Sequence, residues 1–454
     1  MKDQKMLAGS GEIAEDNGTL GLTVYGNVGA DMQTVLSYTA MGQVQSSVAW
    51  LTGGFTGTEG PQGPEPAGIE IAQLWDDNGA LGLNIYGDVG GTLQPVFTSG
   101  DMGQGSGALA WLTGNFTGTG NDFTEIAQLW NNDGALGLII YGSPGGNPQA
   151  VFAQPDMGQG SGAVAFLAGN FTGSATTEIA QLWDNNGVLG LIVYSVANGI
   201  LATPVAQPDM GQGSSALAFL AGTFTGSATT EIAQLWNNNG ALGLIVYGMS
   251  GGTLQTLVTY PDMGQGSSAL AFLVGDFTGS GATEIAQLWD NNGILGLIVY
   301  SVANGILATP VAQPDMGQGS GALAFLTGYF TGAGTTTQIA QPWDNNGTLE
   351  MIVYGNVGDG NLGTVYAAPM NQPSSALAFL TGNFIGSGYT QIAQARNNNE
   401  ALQLLVYADI GNGGLSTVFS NDISQVPFAL AWVTGDFTGT GNTQILQPSL
   451  AVFG

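Results

Sequence analysis

Residues 275–293 read GDFTGSGATEIAQLWDNNG, and close copies of this stretch recur along most of the chain. The phenylalanine marks each copy: the first interval between phenylalanines is 61 residues, and the later intervals are 53 to 55. A recurring period of this kind indicates a repeat architecture in which each unit packs against its neighbours. The marker residues are Phe55, Phe116, Phe171, Phe224, Phe277, Phe330, Phe384 and Phe437.

Each copy predicts four short antiparallel strands, which we name A to D. In the copy that contains Phe277 they cover residues 269–274, 283–289, 294–300 and 306–312. The Asn-Gly pair between strands B and C is a strong signal for a two-residue hairpin. Strands A and C are apolar on both faces, which is expected when a sheet lies between two other sheets.

The two ends of the chain predict how the array closes. Residues 19–25 resemble strand C, whereas residues 428–434 and 443–447 resemble strands A and B. The sequence therefore predicts an all-β, eight-bladed β-propeller of four-stranded antiparallel blades. Its ring is closed by N-terminal C–D strands that pair with C-terminal A–B strands, which removes the open sheet edges. We expect one domain over residues 1–454 with a flexible tail at residues 1–10; an open solenoid is the alternative.

The charge composition limits the partners. The chain has 32 acidic residues, no histidine and a net charge of −29. Its only basic side chains are Lys2, Lys5 and Arg396. No basic patch can neutralise phosphates, so nucleic-acid binding is excluded and anionic membranes should repel the protein. The charge is compatible with neutral and cationic ligands.

The residue types also limit the chemistry and the location. Without cysteine or histidine the chain has no thiol nucleophile, no histidine-based triad and no histidine-ligated metal. No apolar run approaches the ~20 residues of a membrane-spanning helix, so membrane insertion is not expected. No secretory signal is visible at the N-terminus. We nevertheless expect an extracellular or cell-surface protein.

The run DFTGSGATEIA at residues 276–286 resembles the FG-GAP/VCBS repeat, whose A–B loop reads D-x-N-x-D-G-x-x-D. That resemblance implies a β-propeller, often extracellular, with loops that often bind calcium. Asp276 and Glu284 match the first and ninth positions, but Thr278 and Ser280 replace the central ligands. Calcium takes six to eight oxygen ligands, so these two acids form a weak candidate site and no other cofactor is expected. Alternatively, the hydroxyl groups only satisfy the loop backbone.

Two repeated motifs are predicted at one rim of the propeller, where the B–C turns and the D–A links lie. A tryptophan followed by Asp or Asn ends strand B, and Asp-Met-Gly-Gln-Gly-Ser follows strand D. An aromatic ring beside carboxylates and amides can stack on a sugar and bind its hydroxyl groups. Alternatively, these residues fill the space between blades and stabilise the turns. The sugar-binding candidates are Trp75, Asp76, Trp130, Asn131, Trp183, Asp184, Trp236, Asn237, Trp289, Asp290, Trp343 and Asp344, with Asp101, Gln104, Asp209, Gln212, Asp262, Gln265, Asp315 and Gln318.

The repetition of these motifs favours binding over catalysis, because an active site is normally unique. The leading hypothesis is a multivalent carbohydrate-binding protein, a lectin whose partners are glycans or polysaccharides. No catalytic residue is predicted, and the repeat that contains Arg396, which has lost the tryptophan, should lack a site. The alternatives are a self-assembling structural or adhesive protein of an extracellular matrix or filament, and a polysaccharide-active enzyme.

Overall fold

The computed structural model confirms the eight-bladed propeller. Eight four-stranded sheets follow one another along the chain, and the tail predicted at residues 1–10 lies outside the described residues. Among the residues described, no helix has the length and apolar character needed to cross a membrane. The structure describes residues 19–28, 31–41, 47–56, 68–118, 123–144, 147–250, 253–303, 305–317, 319–332, 336–358, 361–409, 413–423 and 429–451.

Seven blades are continuous in sequence and the eighth joins both ends of the chain. Blade 1 contains β3 (Ser47–Gly53), β4 (Glu70–Asp77), β5 (Ala80–Asp88) and β6 (Leu93–Ser99); blade 2, β7 (Ala110–Gly114), β8 (Glu125–Asn132), β9 (Ala135–Gly142) and β10 (Gln149–Gln154); blade 3, β11 (Ala165–Gly169), β12 (Glu178–Asn185), β13 (Val188–Ala197) and β14 (Ile200–Gln207); blade 4, β15 (Ala218–Gly222), β16 (Glu231–Asn238), β17 (Ala241–Ser250) and β18 (Thr253–Tyr260). Blade 5 contains β19 (Ala271–Gly275), β20 (Glu284–Asn291), β21 (Ile294–Ala303) and β22 (Ile306–Gln313); blade 6, β23 (Leu326–Gly328), β24 (Gln338–Asn345), β25 (Thr348–Gly358) and β26 (Asn361–Pro373); blade 7, β27 (Ala378–Gly382), β28 (Gln391–Asn398), β29 (Ala401–Asp409) and β30 (Leu415–Ile423); blade 8, β31 (Val433–Gly435), β32 (Gln444–Ala451), β1 (Thr19–Val28) and β2 (Asp31–Met41).

The ring closes as the sequence predicts. The strand order of blade 8 is β2-β1-β32-β31, so the N-terminal C–D pair completes the C-terminal A–B pair. Strands β1 and β32 are antiparallel, with Thr19 opposite Ala451 and Tyr25 opposite Ile445. The hairpin prediction is also confirmed: Asn292 and Gly293 have φ angles of 54° and 87°, a left-handed turn that follows the twist of the strands.

The hydrophobic core lies between the blades. In the cluster between blades 4 and 5, Phe224 and Leu244 pack with Ile298 and Tyr300. Strand C has core residues on both of its faces, because each face of a blade packs against a neighbouring blade, and this explains its apolar sequence. Each marker phenylalanine is at most 2% exposed.

A buried tyrosine–glutamine pair recurs inside every blade. In blade 5 the Tyr300 hydroxyl donates to Gln287 Oε1 at 2.8 Å, and Gln287 Nε2 donates to the carbonyl oxygens of Gly266 and Ser268. In blade 8 Tyr25 makes the same bond to Gln447 across the closure, at 2.6 Å. Burial raises the pKa of these tyrosines well above the ordinary value. The pair therefore joins strands B and C in continuous and closing blades alike.

Threonines join the A–B loops of neighbouring blades. Thr230 at the start of blade 4 accepts a hydrogen bond from Asn170 N at 3.0 Å through Oγ1, and its own N–H donates to Asn170 O at 2.7 Å. Between blades 8 and 1, Ile69 takes this position; it has no hydroxyl group to accept a hydrogen bond, and its backbone N–H donates to Asp436 O. The equivalent threonines are Thr124, Thr177, Thr283, Thr337, Thr390 and Thr443.

Candidate functional site

The structure brings the two predicted motifs together at one rim. In blade 5 the B–C turn residue Asn291 donates from Nδ2 to Pro314 O at 2.8 Å, and Met316 N donates to Leu295 O at 2.9 Å. The Asp-Met-Gly-Gln loop therefore lies directly on the turn that follows the tryptophan. Equivalent Asn-to-Pro bonds are present at Asn132, Asn185 and Asn238 in blades 2 to 4.

Each rim tryptophan lies on a glycine of the neighbouring strand. Trp289 is paired with Gly296, and a Cβ placed on that glycine would be only 2.3 Å from Trp289 Cε2. The indole also packs against the core cluster between blades 4 and 5, so it fills part of the space between these two blades. Gly82, Gly137, Gly190 and Gly243 lie in the same way under Trp75, Trp130, Trp183 and Trp236.

The tryptophans differ in what they leave accessible. Trp75 is only 3% exposed, and its Nε1 and that of Trp343 are buried without a hydrogen-bond partner. In blades 2 to 5 the indoles are half-buried. Their Nε1 atoms are not fully buried and have no hydrogen-bond partner among the described residues. The four accessible indoles are Trp130, Trp183, Trp236 and Trp289.

The acidic and amide residues beside the indoles are exposed, except for the half-buried Asp76, and one side-chain oxygen of each accepts a hydrogen bond from the local backbone. Asp290 Oδ1 accepts from Gly293 N at 2.5 Å, and Asp315 Oδ1 accepts from Gly317 N at 2.7 Å. The second carboxylate oxygen of each has no partner in the described part of the chain. The same capping geometry holds for Asp76, Asn131, Asp184, Asn237, Asp344, Asp101, Asp209 and Asp262.

The glutamines of the second motif contribute mainly through their backbone. The carbonyl oxygens of Gln104, Gln212 and Gln265 accept hydrogen bonds of 2.7 to 2.8 Å from the first leucine of strand C, and their side chains are half-buried. Gln318 lies outside the described residues. The methionines of this motif are core residues in blades 2 to 5, where each is 7% exposed.

Blades 6 to 8 depart from this arrangement. Trp343 is opposite Glu350 instead of glycine. In blade 7 Arg396, 9% exposed, donates from Nε to Gln403 Oε1 on the opposite strand, and in blade 8 Ser449 is opposite Gly21. In blade 7 the indole and its glycine have been replaced together, so no aromatic face is present at this rim position. The prediction that this blade lacks a sugar site remains a prediction.

In the candidate calcium loop the carboxylate oxygens accept hydrogen bonds from groups of the loop itself. Glu284 is fully buried; Oε2 accepts from Thr278 N at 2.8 Å and Oε1 accepts from the Thr278 hydroxyl. Asp276 accepts from Gly279 N at 2.8 Å and from Gly281 N at 3.0 Å. No group of three or more Asp or Glu side chains that could hold a metal ion occurs among the described residues. Thr278 is the partner that sequence reasoning missed, although the recurring Thr-to-Glu spacing of six residues was visible.

Comparisons with known proteins report fold similarity. No family model and no curated protein matches the sequence, so the FG-GAP/VCBS resemblance gains no support from sequence comparison. Among solved structures, the chain is similar to a lectin from Agrocybe aegerita that recognises non-reducing terminal N-acetylglucosamine. The TM-score is 0.51 at 14% identity, covering 94% of this chain and 99% of the lectin. It is also similar to the exotype rhamnogalacturonan lyase YesX, with a TM-score of 0.51 at 14% identity, covering 88% of this chain and 72% of the lyase.

Proposed function

We propose that this protein is a multivalent carbohydrate-binding protein whose sites lie on the B–C rim of blades 2 to 5. One observation carries the proposal: a half-buried indole, an exposed Asp or Asn after it and an exposed loop Asp recur together there in four copies, with Asp156 as the loop Asp of blade 2. An indole edge offers apolar surface and a donor, while the outward carboxylate or amide groups bind hydroxyl groups. These are the groups that a saccharide requires.

The geometry reduces the six candidate tryptophans to four. Trp75 is buried, and the indole N–H of Trp343 points into the protein. The remaining sites are shallow, because each indole rests on a glycine and packs against the neighbouring blade. Shallow sites bind weakly one at a time, but four of them on one rim bind a repetitive glycan surface with avidity. The proposed setting is therefore a cell surface or an extracellular matrix.

The proposal assigns binding rather than catalysis. Two neighbours in fold are named for recognising or cleaving carbohydrates, which agrees with a carbohydrate ligand but does not choose between the two activities. The choice rests on repetition: the candidate acids recur from blade to blade, whereas an active site is normally single. An enzyme would lose turnover when one acid is changed, whereas a lectin would lose avidity stepwise.

The test is a glycan array with purified protein, followed by calorimetry on the best glycan and light scattering on the same sample. We expect a glycan hit that survives a calcium chelator. The variant W130F/W183F/W236F/W289F keeps the aromatic packing but removes four N–H donors, and should weaken binding to a polyvalent glycan at least tenfold. W343F is the matched control, because its N–H is already buried.

Three outcomes would overturn this proposal. If the calcium chelator abolished glycan binding, the site would be assigned to the loops that contain Asp276 and Glu284. Unchanged binding by the folded fourfold variant would remove the indoles from the site. Absence of any glycan hit, together with large assemblies in light scattering, would favour the matrix or filament alternative.

A further inference from the structure

The opposite rim carries one cleft that differs from the others, between blades 6 and 7. Tyr329 in the A–B loop of blade 6 and Tyr389 in that of blade 7 are 44% and 43% exposed. Tyr329 N donates to Thr390 Oγ1 at 3.0 Å and Thr390 N donates to Tyr329 O at 2.9 Å, so the two loops are held side by side. Neither phenol hydroxyl has a hydrogen-bond partner within the described ranges.

Both tyrosines occupy positions at which other blades have smaller residues. The residue equivalent to Tyr329 is Asp276 in blade 5 and Asn170 in blade 3, and each caps its loop through a bond from Oδ1 to a glycine N–H. Tyrosine has no carboxylate or amide oxygen at this position, so it cannot make that bond. The residue equivalent to Tyr389 is Ala282 in blade 5. Two large aromatic residues on neighbouring loops therefore replace small or capping residues, and both are exposed.

A carboxylate completes the cleft. A Cβ placed on Gly332 would lie 3.1 Å from Asp409 Oδ2 and 3.3 Å from the Tyr389 ring carbons Cε2 and Cζ, so the acid and the ring flank the same point. At the equivalent strand position of blade 6, Asn356 donates across its own cleft to Thr278 O at 3.1 Å. A carboxylate has no hydrogen to donate, so Asp409 cannot make that bond to a carbonyl oxygen, although it has an interaction of its own.

The charge of the whole protein selects the ligand class. The net charge is −29, and the one basic side chain in the described part of the chain, Arg396, is buried and hydrogen-bonded within blade 7. Nothing here can pair with a uronate or a phosphate, whereas a cation is attracted by the overall field and by Asp409. An ammonium group near a phenol face gains a cation–π interaction, and the free phenol hydroxyls can bind sugar hydroxyls.

We propose that the cleft formed by Tyr329, Tyr389 and Asp409 binds an amino sugar with a free, protonated amine. The ammonium group lies between Asp409 and the phenol rings, and the ring hydroxyls of the sugar face Tyr329 and Tyr389. This site occurs once, lies on the rim opposite the four tryptophan clusters and does not depend on them.

The experiment is calorimetry at low salt with four probes: glucosamine, N-acetylglucosamine, choline and galacturonate. Glucosamine should bind with a dissociation constant that rises with added salt, and the other three should bind at least tenfold more weakly. Equal binding of N-acetylglucosamine overturns the requirement for a cation. Equal binding of choline overturns the assignment to a sugar.

The variants locate the binding. Tyr389→Ala and Asp409→Asn should each weaken glucosamine binding roughly tenfold, whereas Tyr389→Phe keeps the ring and should keep most of it. Asp88→Asn is the matched control, because Asp88 occupies the same strand position in blade 1 and lines a cavity with Thr438 and Asn442, with no tyrosine among its described lining residues. Binding should persist in W130F/W183F/W236F/W289F, so failure on one rim does not imply failure on the other. Unchanged binding by folded Tyr389→Ala and Asp409→Asn would overturn the proposal.

Discussion

Blade 5 and blade 8 have the same four strands but keep different residues. Blade 8 retains the buried pair, with Tyr25 bonded to Gln447 as Tyr300 is bonded to Gln287. It has Ser449 where blade 5 has Trp289. The cleft between blades 8 and 1 also has Ile69 in place of the threonine that joins the other blades.

The difference separates what a blade requires from what it can omit. A blade forms without the tryptophan and its aspartate, because blade 8 is a complete sheet without them, and blade 1 is a complete sheet with Ile69 in place of the joining threonine. The tyrosine–glutamine pair is present in both kinds of blade. The rim clusters of blades 2 to 5 are therefore not needed for blade formation, which supports their assignment to binding.

The largest predicted effect tests what all blades share. Burial raises the pKa of eight tyrosines above the ordinary value of 10.0, so their neutral form is stabilised by folding. This stability is fully present below pH 10 and is lost as the pH rises further, at about 1.4 kcal/mol per tyrosine and pH unit. We expect one cooperative alkaline unfolding transition, measured by circular dichroism and tyrosinate absorbance. The eight are Tyr25, Tyr86, Tyr141, Tyr194, Tyr247, Tyr300, Tyr354 and Tyr407.

The variant Tyr25→Phe shows whether blade 8 belongs to that transition. If blade 8 is equivalent to the others, the variant lowers the absorbance change of the single step without creating a second one. An earlier step in the wild type that the variant removes would mean that the closing blade opens by itself, and the equivalence would be wrong.

An intermediate effect is predicted for the glycine under the indole. In Gly296→Ala the new methyl group meets the Trp289 ring at 2.3 Å, and we expect a loss of about 1 to 3 kcal/mol of unfolding free energy in urea. Gly21→Ala is the matched control in blade 8, where the nearest atom to the added Cβ is Tyr38 O at 3.6 Å. If both variants lost the same unfolding free energy, the glycine would not be required to make room for the indole.

The smallest effect concerns the joining threonine. Thr230→Val removes the acceptor of Asn170 N, so the free energy of unfolding should fall by about 1 kcal/mol. The same substitution at the exposed Thr203, which has no side-chain partner in the described residues, is the control and should change little. A loss no larger than that of the control would show that the backbone contacts alone join the blades.

Most of the fold could be predicted from the sequence because repetition makes local signals reinforce one another. A single Asn-Gly pair or apolar run is ambiguous, but the pair at Asn292-Gly293 recurs at the same place before strand C in most blades. The half-repeats at the two ends of the chain predicted how the ring closes. The partner of each buried tyrosine was missed, because a glutamine such as Gln287 lies thirteen residues before Tyr300 and has no distinctive local pattern.

The candidate site could be predicted only in part. Strand direction placed both rim motifs together, but the accessibility of an indole depends on packing against the preceding blade, so Trp75 and Trp289 could not be distinguished. The cleft with Tyr329 and Tyr389 was missed for a similar reason. These residues are 60 positions apart, and a search for features shared by all repeats passes over a feature that occurs once.

The near-identity of the blades has a consequence for how the chain assembles. Residues 189–214 recur unchanged at 295–320, two blades later, so strand β12 would find the same contacts on β21 as on β13. Recognition between side chains cannot reject that mispairing. The correct choice depends on kinetics, because a two-residue hairpin closes far sooner than a loop of about a hundred residues. At high concentration the same degeneracy lets strands exchange between molecules, so refolding yield should fall steeply as the protein concentration rises.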